Sequence, residues 1–293
     1  MTALLLSDFV PRLPLGHWVS DFVNYITNNF SGFFAGLTAV LGALVSIFTT
    51  AVSYLPSPVM IIIFAAIAWL VASWRVALLT VIGLLLILSL NLCGSSMETL
   101  GLVIASTVVS LIIGIPLGIL ASQYKAIEVI VRPILDFMQT MPAYVYLLPA
   151  IILLGLGNPP ALIAVVVFAT PPAVRLTMLG IQQVSAETVE AAQAFGATAW
   201  QTLIKVKLPQ AFTTIMAGVN QVIMLALSMV VIAALIGAGG LGANVYQGLQ
   251  SLNVGQSFEA GLGIVIIAIV IDRITRHIGA GKRVPRVGKG GNA

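Results

Sequence analysis

The chain has 293 residues, of which 59% are hydrophobic and only 8% charged, with a net charge of +4 at neutral pH. Soluble domains carry about a quarter charged residues, so a water-soluble globular protein is excluded. The basic residues form no interleaved basic–aromatic patch, so the positive balance does not point to nucleic acid. The single cysteine, Cys93, leaves no internal disulfide and no zinc knuckle.

The chain opens with MTALLLSDFVPRLPLGHW, which has no basic start before its short apolar run and is not read as a cleaved signal peptide. Nothing between Asp21 and Arg75 is charged at neutral pH, and nothing between Arg75 and Glu98. Residues 34–55 are long enough to span, yet Thr38, Gly42, Ser46, Thr49 and Ser53 recur at helical spacing as one small, polar stripe. That pattern suits an interfacial helix as well as a packed span, and residues 1–57 are taken as an extracytoplasmic or interfacial segment. Seven spans follow, at 58–74, 76–92, 97–121, 142–157, 160–180, 212–238 and 258–276, each able to cross a layer that needs roughly 20 apolar residues. The expected fold is an all-α polytopic membrane protein with about seven spanning helices over residues 58–276 and a basic tail at 277–293. Pro116 and the pair Pro171-Pro172 fall inside spans, which a membrane tolerates only where neighbours re-satisfy the freed carbonyls.

Orientation follows from lysine and arginine. With the connection 181–211 placed on the cytoplasmic side, Arg75, Lys125, Arg132, Arg175, Lys205, Lys207 and all six basic residues from Arg273 to Lys289 fall inside. Of the 13 basic residues only Arg12 remains outside, as the positive-inside rule requires. The C-terminus is therefore expected in the cytoplasm.

The most informative stretch is residues 185–211, SAETVEAAQAFGATAWQTLIKVKLPQA. Ser185 is placed to cap a first short helix, with Glu187 in its first turn. Gly196 supplies a stop, because a helix end favours the left-handed conformation glycine adopts freely. Thr198 and Gln201 have capping-box spacing for a second helix, Lys205 and Lys207 complement its C-terminus, and Pro209 is expected to end it. Val189, Ala192 and Phe195 share one face of the first helix, and the small residues Ala191 and Ala192 leave room for another surface. A rigid two-helix hook of this kind is either a docking element or a well-capped connector.

Glu190-Ala191-Ala192, three residues, Gly196, nine residues, then Val206-Lys207-Leu208-Pro209 resembles the EAA motif of binding-protein-dependent ABC importer permeases, with Val206 in place of the usual isoleucine. The resemblance extends over roughly residues 56–276. VRPILDFMQTMPAYVYLLP (131–149), LGLGNPP (154–160), TPPAVRLTMLGIQQV (170–184) and MAGVNQVIMLALSMVVIAALIGAGGLG (216–242) look like the ProW-type permeases for glycine betaine and proline betaine, which include choline transporters.

The resemblance implies a type I ABC importer permease of MetI-like fold in a bacterial cytoplasmic (inner) membrane. It implies two permease copies side by side, an ABC ATPase subunit that carries the ATP and Mg, and a periplasmic or lipid-anchored substrate-binding protein. The coupling residues would be Glu190, Ala191, Ala192 and Gly196, with Leu208 and Pro209 fixing the return into the membrane. Substrate would be a quaternary ammonium compound, moved by alternating access. No cofactor or metal is expected on this chain itself.

Other patterns carry less. Gly237-Ala238-Gly239-Gly240-Leu241-Gly242 matches GxGxxG formally but follows a spanning helix, not a strand; these glycines are read as a gate or hinge near the outer mouth. Gly114 and Gly118 form a GxxxG that lets helices touch closely, a candidate dimer contact. Arg276 stands where a Walker A sequence ending at Gly281-Lys282 needs its first glycine, so the chain is not expected to hydrolyse ATP. His17 and His277 are isolated, and no catalytic set is present. Tyr144, Tyr146 and Phe168 are candidates for the substrate pathway, since quaternary ammonium groups bind over aromatic faces. The rival reading is an ion-coupled secondary transporter of a small amine, but such carriers keep ionisable groups at mid-membrane, where these spans carry none.

Overall fold

Every regular element among the described residues, 13–280, is a helix in the computed structural model. Arg12 and the residues before it, and the basic tail from Gly281 onward, lie outside the described residues. Helix is what an apolar chain must form in lipid, because each segment satisfies its own backbone there.

The order is α1 (Leu15–Asn29), α2 (Ser31–Ser53), α3 (Ser57–Val71), α4 (Trp74–Ser89), α5 (Cys93–Gln123), α6 (Lys125–Thr140), α7 (Tyr144–Leu154), α8 (Asn158–Gln182), α9 (Ala186–Ala194), α10 (Ala199–Thr202), a π-helical turn (Leu203–Lys207), α11 (Leu208–Ala234), α12 (Leu241–Gln250) and α13 (Val254–Ala280).

Five helical runs are long and apolar enough to cross a membrane: α2, α5, α8, the run Ala199–Ala234 that contains α11, and α13. The spans expected at 97–121, 160–180, 212–238 and 258–276 fall on four of these. The other three differ. Residues 58–74 and 76–92 form α3 and α4, paired with each other and set against α13. At 1.5 Å per residue they reach only about 22 and 24 Å, short of a hydrocarbon layer of about 30 Å. Residues 142–157 contain α7, the second half of a pair that bends by 97° where α6 meets it. That bend is pinned by Tyr146, whose hydroxyl donates to the Met138 carbonyl and, at 3.2 Å, to that of Met141. Arg175 of α8 holds α6 from the other side, donating to Gln139 Oε1 at 2.8 Å and pairing with Asp136.

The centre of the bundle is α5, α8 and α11. Most of α8 is buried, Ala161, Ala164, Ala169 and Val174 almost completely. Small residues permit this. A β-carbon at Gly114 would stand 2.6 Å from that of Ala173, and one at Gly118 only 2.7 Å from Thr177 Cβ and from the Val174 carbonyl. The GxxxG face is therefore occupied by α8 of the same chain and is not free to join a second copy. Pro171 and Pro172 lie buried within a continuous helix, as expected of a helix enclosed by protein, whereas Pro116, also within a continuous helix, is exposed. On the far side of α11, Asn220 Nδ2 donates to Asp272 Oδ1 at 2.8 Å, Arg276 Nε to the same oxygen at 2.7 Å, and Thr275 Oγ1 to Asn220 Oδ1 at 2.8 Å. Asp272 is thus a satisfied interhelical tie between α11 and α13, not a free proton carrier.

Candidate functional site

At one end of the bundle the chain between α8 and α11 forms a hook. Ser185 Oγ accepts the Thr188 N–H at 3.4 Å, capping α9. The helix stops at Gly196, whose φ is +80°. Its N–H donates to the Gln193 carbonyl at 2.8 Å, and the Ala197 N–H donates to that of Ala192 at 3.0 Å, the paired bonds of a left-handed helix stop. Two residues later the Thr198 N–H donates to Gln201 Oε1 at 2.9 Å and the Gln201 N–H to Thr198 Oγ1 at 3.3 Å. Each turn of the hook is fixed by local hydrogen bonds.

One expectation needs correction. Pro209 does not end the second helix. The Leu208 N–H reaches back five residues to the Leu203 carbonyl, and the chain runs on as α11 with Pro209 in its first turn. A proline cannot donate to the carbonyl four residues earlier and crowds it; the wider π turn absorbs that misfit without a break. Of the residues expected on one face of the first helix, Val189 and Ala192 are half-buried, whereas Phe195, at the C-cap, is 93% exposed.

The hook thus presents Phe195 and Trp200, the latter 68% exposed, with none of the described residues covering them. Trp200 was not singled out from sequence, although an aromatic residue inside a polar connection is the available signal. Glu190 lines a cleft of about 430 Å³ together with Ser122, Gln182, Gln193 and Lys207. Ala191 is exposed, so the small-residue face is open. Leu208 is half-buried against a small cluster of Ile181, Leu203 and Ala211, which roots the hook in the bundle.

At the opposite end, the four gate candidates occupy one turn but do different things. Gly237 and Gly240 have φ of +87° and +85°. Gly240 lies against α5, where the Leu241 N–H donates to Thr99 Oγ1 at 2.8 Å and Asn244 Nδ2 to Ser95 Oγ at 3.0 Å. Gly242 packs on the Val230 backbone of α11, and Gly239 faces the carboxylate of Glu98. The Gly157 N–H donates to the Ile236 carbonyl at 2.8 Å, tying the α7–α8 turn to the same place.

The pathway aromatics do not gather into a cage. Tyr146 is engaged at the α6–α7 bend, Phe168 is half-buried against the core, and Tyr144 is 61% exposed. No ring contact joins them among the described residues. A different feature emerges on α11: Ala217, Gln221, Met224 and Ser228 form one uncovered stripe, with Gln221 at the middle of the helix. Sequence reasoning missed it, because which side of α11 is uncovered depends on where α5, α8, α12 and α13 pack.

Comparison with known proteins agrees with this geometry. A family described as "Binding-protein-dependent transport system inner membrane component" matches residues 114–284. The chain is 50% identical over 276 residues to the glycine betaine transport system permease protein OpuAB of Bacillus subtilis (strain 168), covering 94% of this chain and 98% of that one. It is 46% identical to the glycine betaine/carnitine transport permease protein GbuB of Listeria monocytogenes, covering 91% and 96%. To the glycine betaine/proline betaine permease ProW of Escherichia coli (strain K12) it is 42% identical, covering 92% and 77%. In fold it is similar to a chain of the inward-facing MetNI methionine ABC transporter, with TM-score 0.56 and 22% identity over 62% of this chain and 92% of that one.

Proposed function

The chain belongs to the binding-protein-dependent transport system inner membrane component family, and on that premise we propose that it is the membrane-spanning subunit of an ATP-driven importer of methylated ammonium solutes such as glycine betaine, proline betaine or choline. The observation that carries this reading is the hook: twenty residues, Glu190 to Pro209, with the spacing of a coupling motif and with Phe195 and Trp200 uncovered. The identity to betaine permeases supplies the substrate class.

In this reading the hook faces the cytoplasm, as the distribution of lysine and arginine requires. It seats in a groove on a separate ATPase chain, which carries ATP and Mg. Two copies of the permease stand together, each rooted to its hook through Leu208, so closure of the ATPase pair rocks both copies from inward- to outward-facing. A binding protein delivers solute to the opposite face, beside the glycine turn 237–242. The uncovered stripe of α11 lines the passage between copies. An unpaired amide facing hydrocarbon costs about 4–8 kcal/mol on the scale of transfer from water to cyclohexane, so Gln221 at mid-helix belongs against water or a partner, not lipid.

Replacing Gln221→Leu is expected to lower uptake several-fold while membrane level and ATPase association stay normal. If α11 faced lipid there, the substitution would leave uptake intact and raise stability, and the comparison of uptake with thermal aggregation separates the two cases.

The assignment is tested by reconstituting the chain with its ATPase and binding protein in vesicles and following labelled glycine betaine. Accumulation should need ATP on the hook side and be indifferent to ionophores that collapse proton and sodium gradients. Accumulation driven by an ion gradient without ATP would establish the secondary-transporter alternative instead.

A further inference from the structure

Beside the glycine turn, α2, the N-terminal half of α5 and the α7–α8 turn enclose a cleft of about 480 Å³, within the roughly 300–1,000 Å³ typical of small-molecule sites. One wall is the polar stripe of α2, which the coupling function leaves unexplained: Gly42, Ser46, Thr49 and its neighbour Thr50. The facing side carries Glu98, whose Oε2 lies where a β-carbon on Gly239 would come within 2.6 Å. Glu98 has no hydrogen-bond or ion-pair partner among the described residues. It is the sixth residue of α5, past the first turn where a carboxylate serves the helix dipole. No lysine or arginine occurs in residues 31–53, 93–108, 155–160 or 235–253, the segments that build this end.

We infer that this cleft is a capture site for the cationic head of the solute, with Glu98 as its counter-ion. A quaternary ammonium has no N–H to donate. It is therefore held by an opposite charge or an aromatic face, not by a set of aligned acceptors. One carboxylate among glycines and hydroxyl-bearing residues supplies that charge, and no cation on the lining segments competes for it. Glu98 is exposed within the cleft and so accessible to a solute. The methylated-ammonium class rests on the substrate assignment above; the cleft and its charge do not.

The test uses the assembled transporter in right-side-out vesicles, without ATP and without the binding protein. In a Cys93→Ser background, Ser46→Cys places a thiol in the cleft, and its rate of labelling by a neutral methanethiosulfonate reagent is measured. Tetramethylammonium at twice its Kd should leave about one third of the sites free and slow labelling roughly threefold. Potassium at equal ionic strength and 3,3-dimethylbutanol, the uncharged carbon isostere of choline, should not. Glu98→Gln should abolish the protection and Glu98→Asp should retain it, which separates loss of charge from loss of fold. The inference is overturned by protection that persists in Glu98→Gln, by equal protection from potassium or the isostere, or by none in the parent. Because labelling needs neither ATP nor transport, its failure would leave the importer assignment standing, and a failure of ATP-driven uptake would leave the cleft standing.

Discussion

Gly196→Val should disconnect the permease from its ATPase, with ATP-dependent uptake falling by about tenfold or more while the chain still inserts and reaches normal levels. The reason is conformational, not steric. A β-carbon at Gly196 would meet nothing within 4 Å, yet φ is +80°. For an L-residue the left-handed region costs roughly 1–2 kcal/mol, and a β-branched side chain is a genuine outlier there. The turn escapes that strain by giving up the two bonds that close α9, Gly196 N–H to Gln193 and Ala197 N–H to Ala192. A penalty of one to two kcal/mol shifts the hook population by a factor of about 5–30, and the direction of α10 relative to α9 is lost with it. Because nothing in the bundle touches this position, the defect should stay within the hook.

The control is Gly196→Asn, since asparagine tolerates the left-handed region. It should retain most ATPase association in a pull-down and most uptake in vesicles. Normal recruitment and uptake by the valine variant would remove the hook from the coupling path. An asparagine variant as damaged as valine would show that the left-handed backbone is not what matters.

The hook was readable from sequence because every device in it is local. Ser185, Gly196 and the Thr198/Gln201 pair act within three to five residues of themselves, so their spacing alone specifies the caps. The bundle was readable only as far as hydropathy reaches. The 97° bend between α6 and α7 depends on the Tyr146 hydroxyl meeting carbonyls of the preceding helix and on Arg175 reaching Asp136 from 39 residues away. No periodicity encodes those contacts. The continuation through Pro209 escaped for a related reason: a proline signals a stop unless the preceding turn widens, and widening is a response to packing. The polar stripe of α2 was visible as a stripe, but that it walls a cleft opposite Glu98 required the placement of α5 beside it.

The same distinction divides the four glycines of the 237–242 turn, which sequence groups as one gate. Gly242→Ala is expected to destabilise the folded chain without altering the transport cycle of molecules that survive. Its β-carbon would fall inside van der Waals contact with the carbonyl oxygen of Val230 and stand 2.8 Å from both the carbonyl carbon and Cγ1 of that residue. Val230 is 1% exposed in the core of α11, so no side-chain rotation relieves the clash and α12 must back away. Overpacking of this kind costs typically 1–3 kcal/mol, enough to lower the midpoint of thermal aggregation by several degrees. Gly239→Ala meets only the movable end of Glu98 and should leave stability nearly unchanged. Measured together, yield and aggregation midpoint should fall for Gly242→Ala while uptake per folded molecule holds. A hinge at this position requires the reverse, a stable chain whose uptake collapses, and that result would return Gly242 to the gate and leave its contact with Val230 as one state of a moving part.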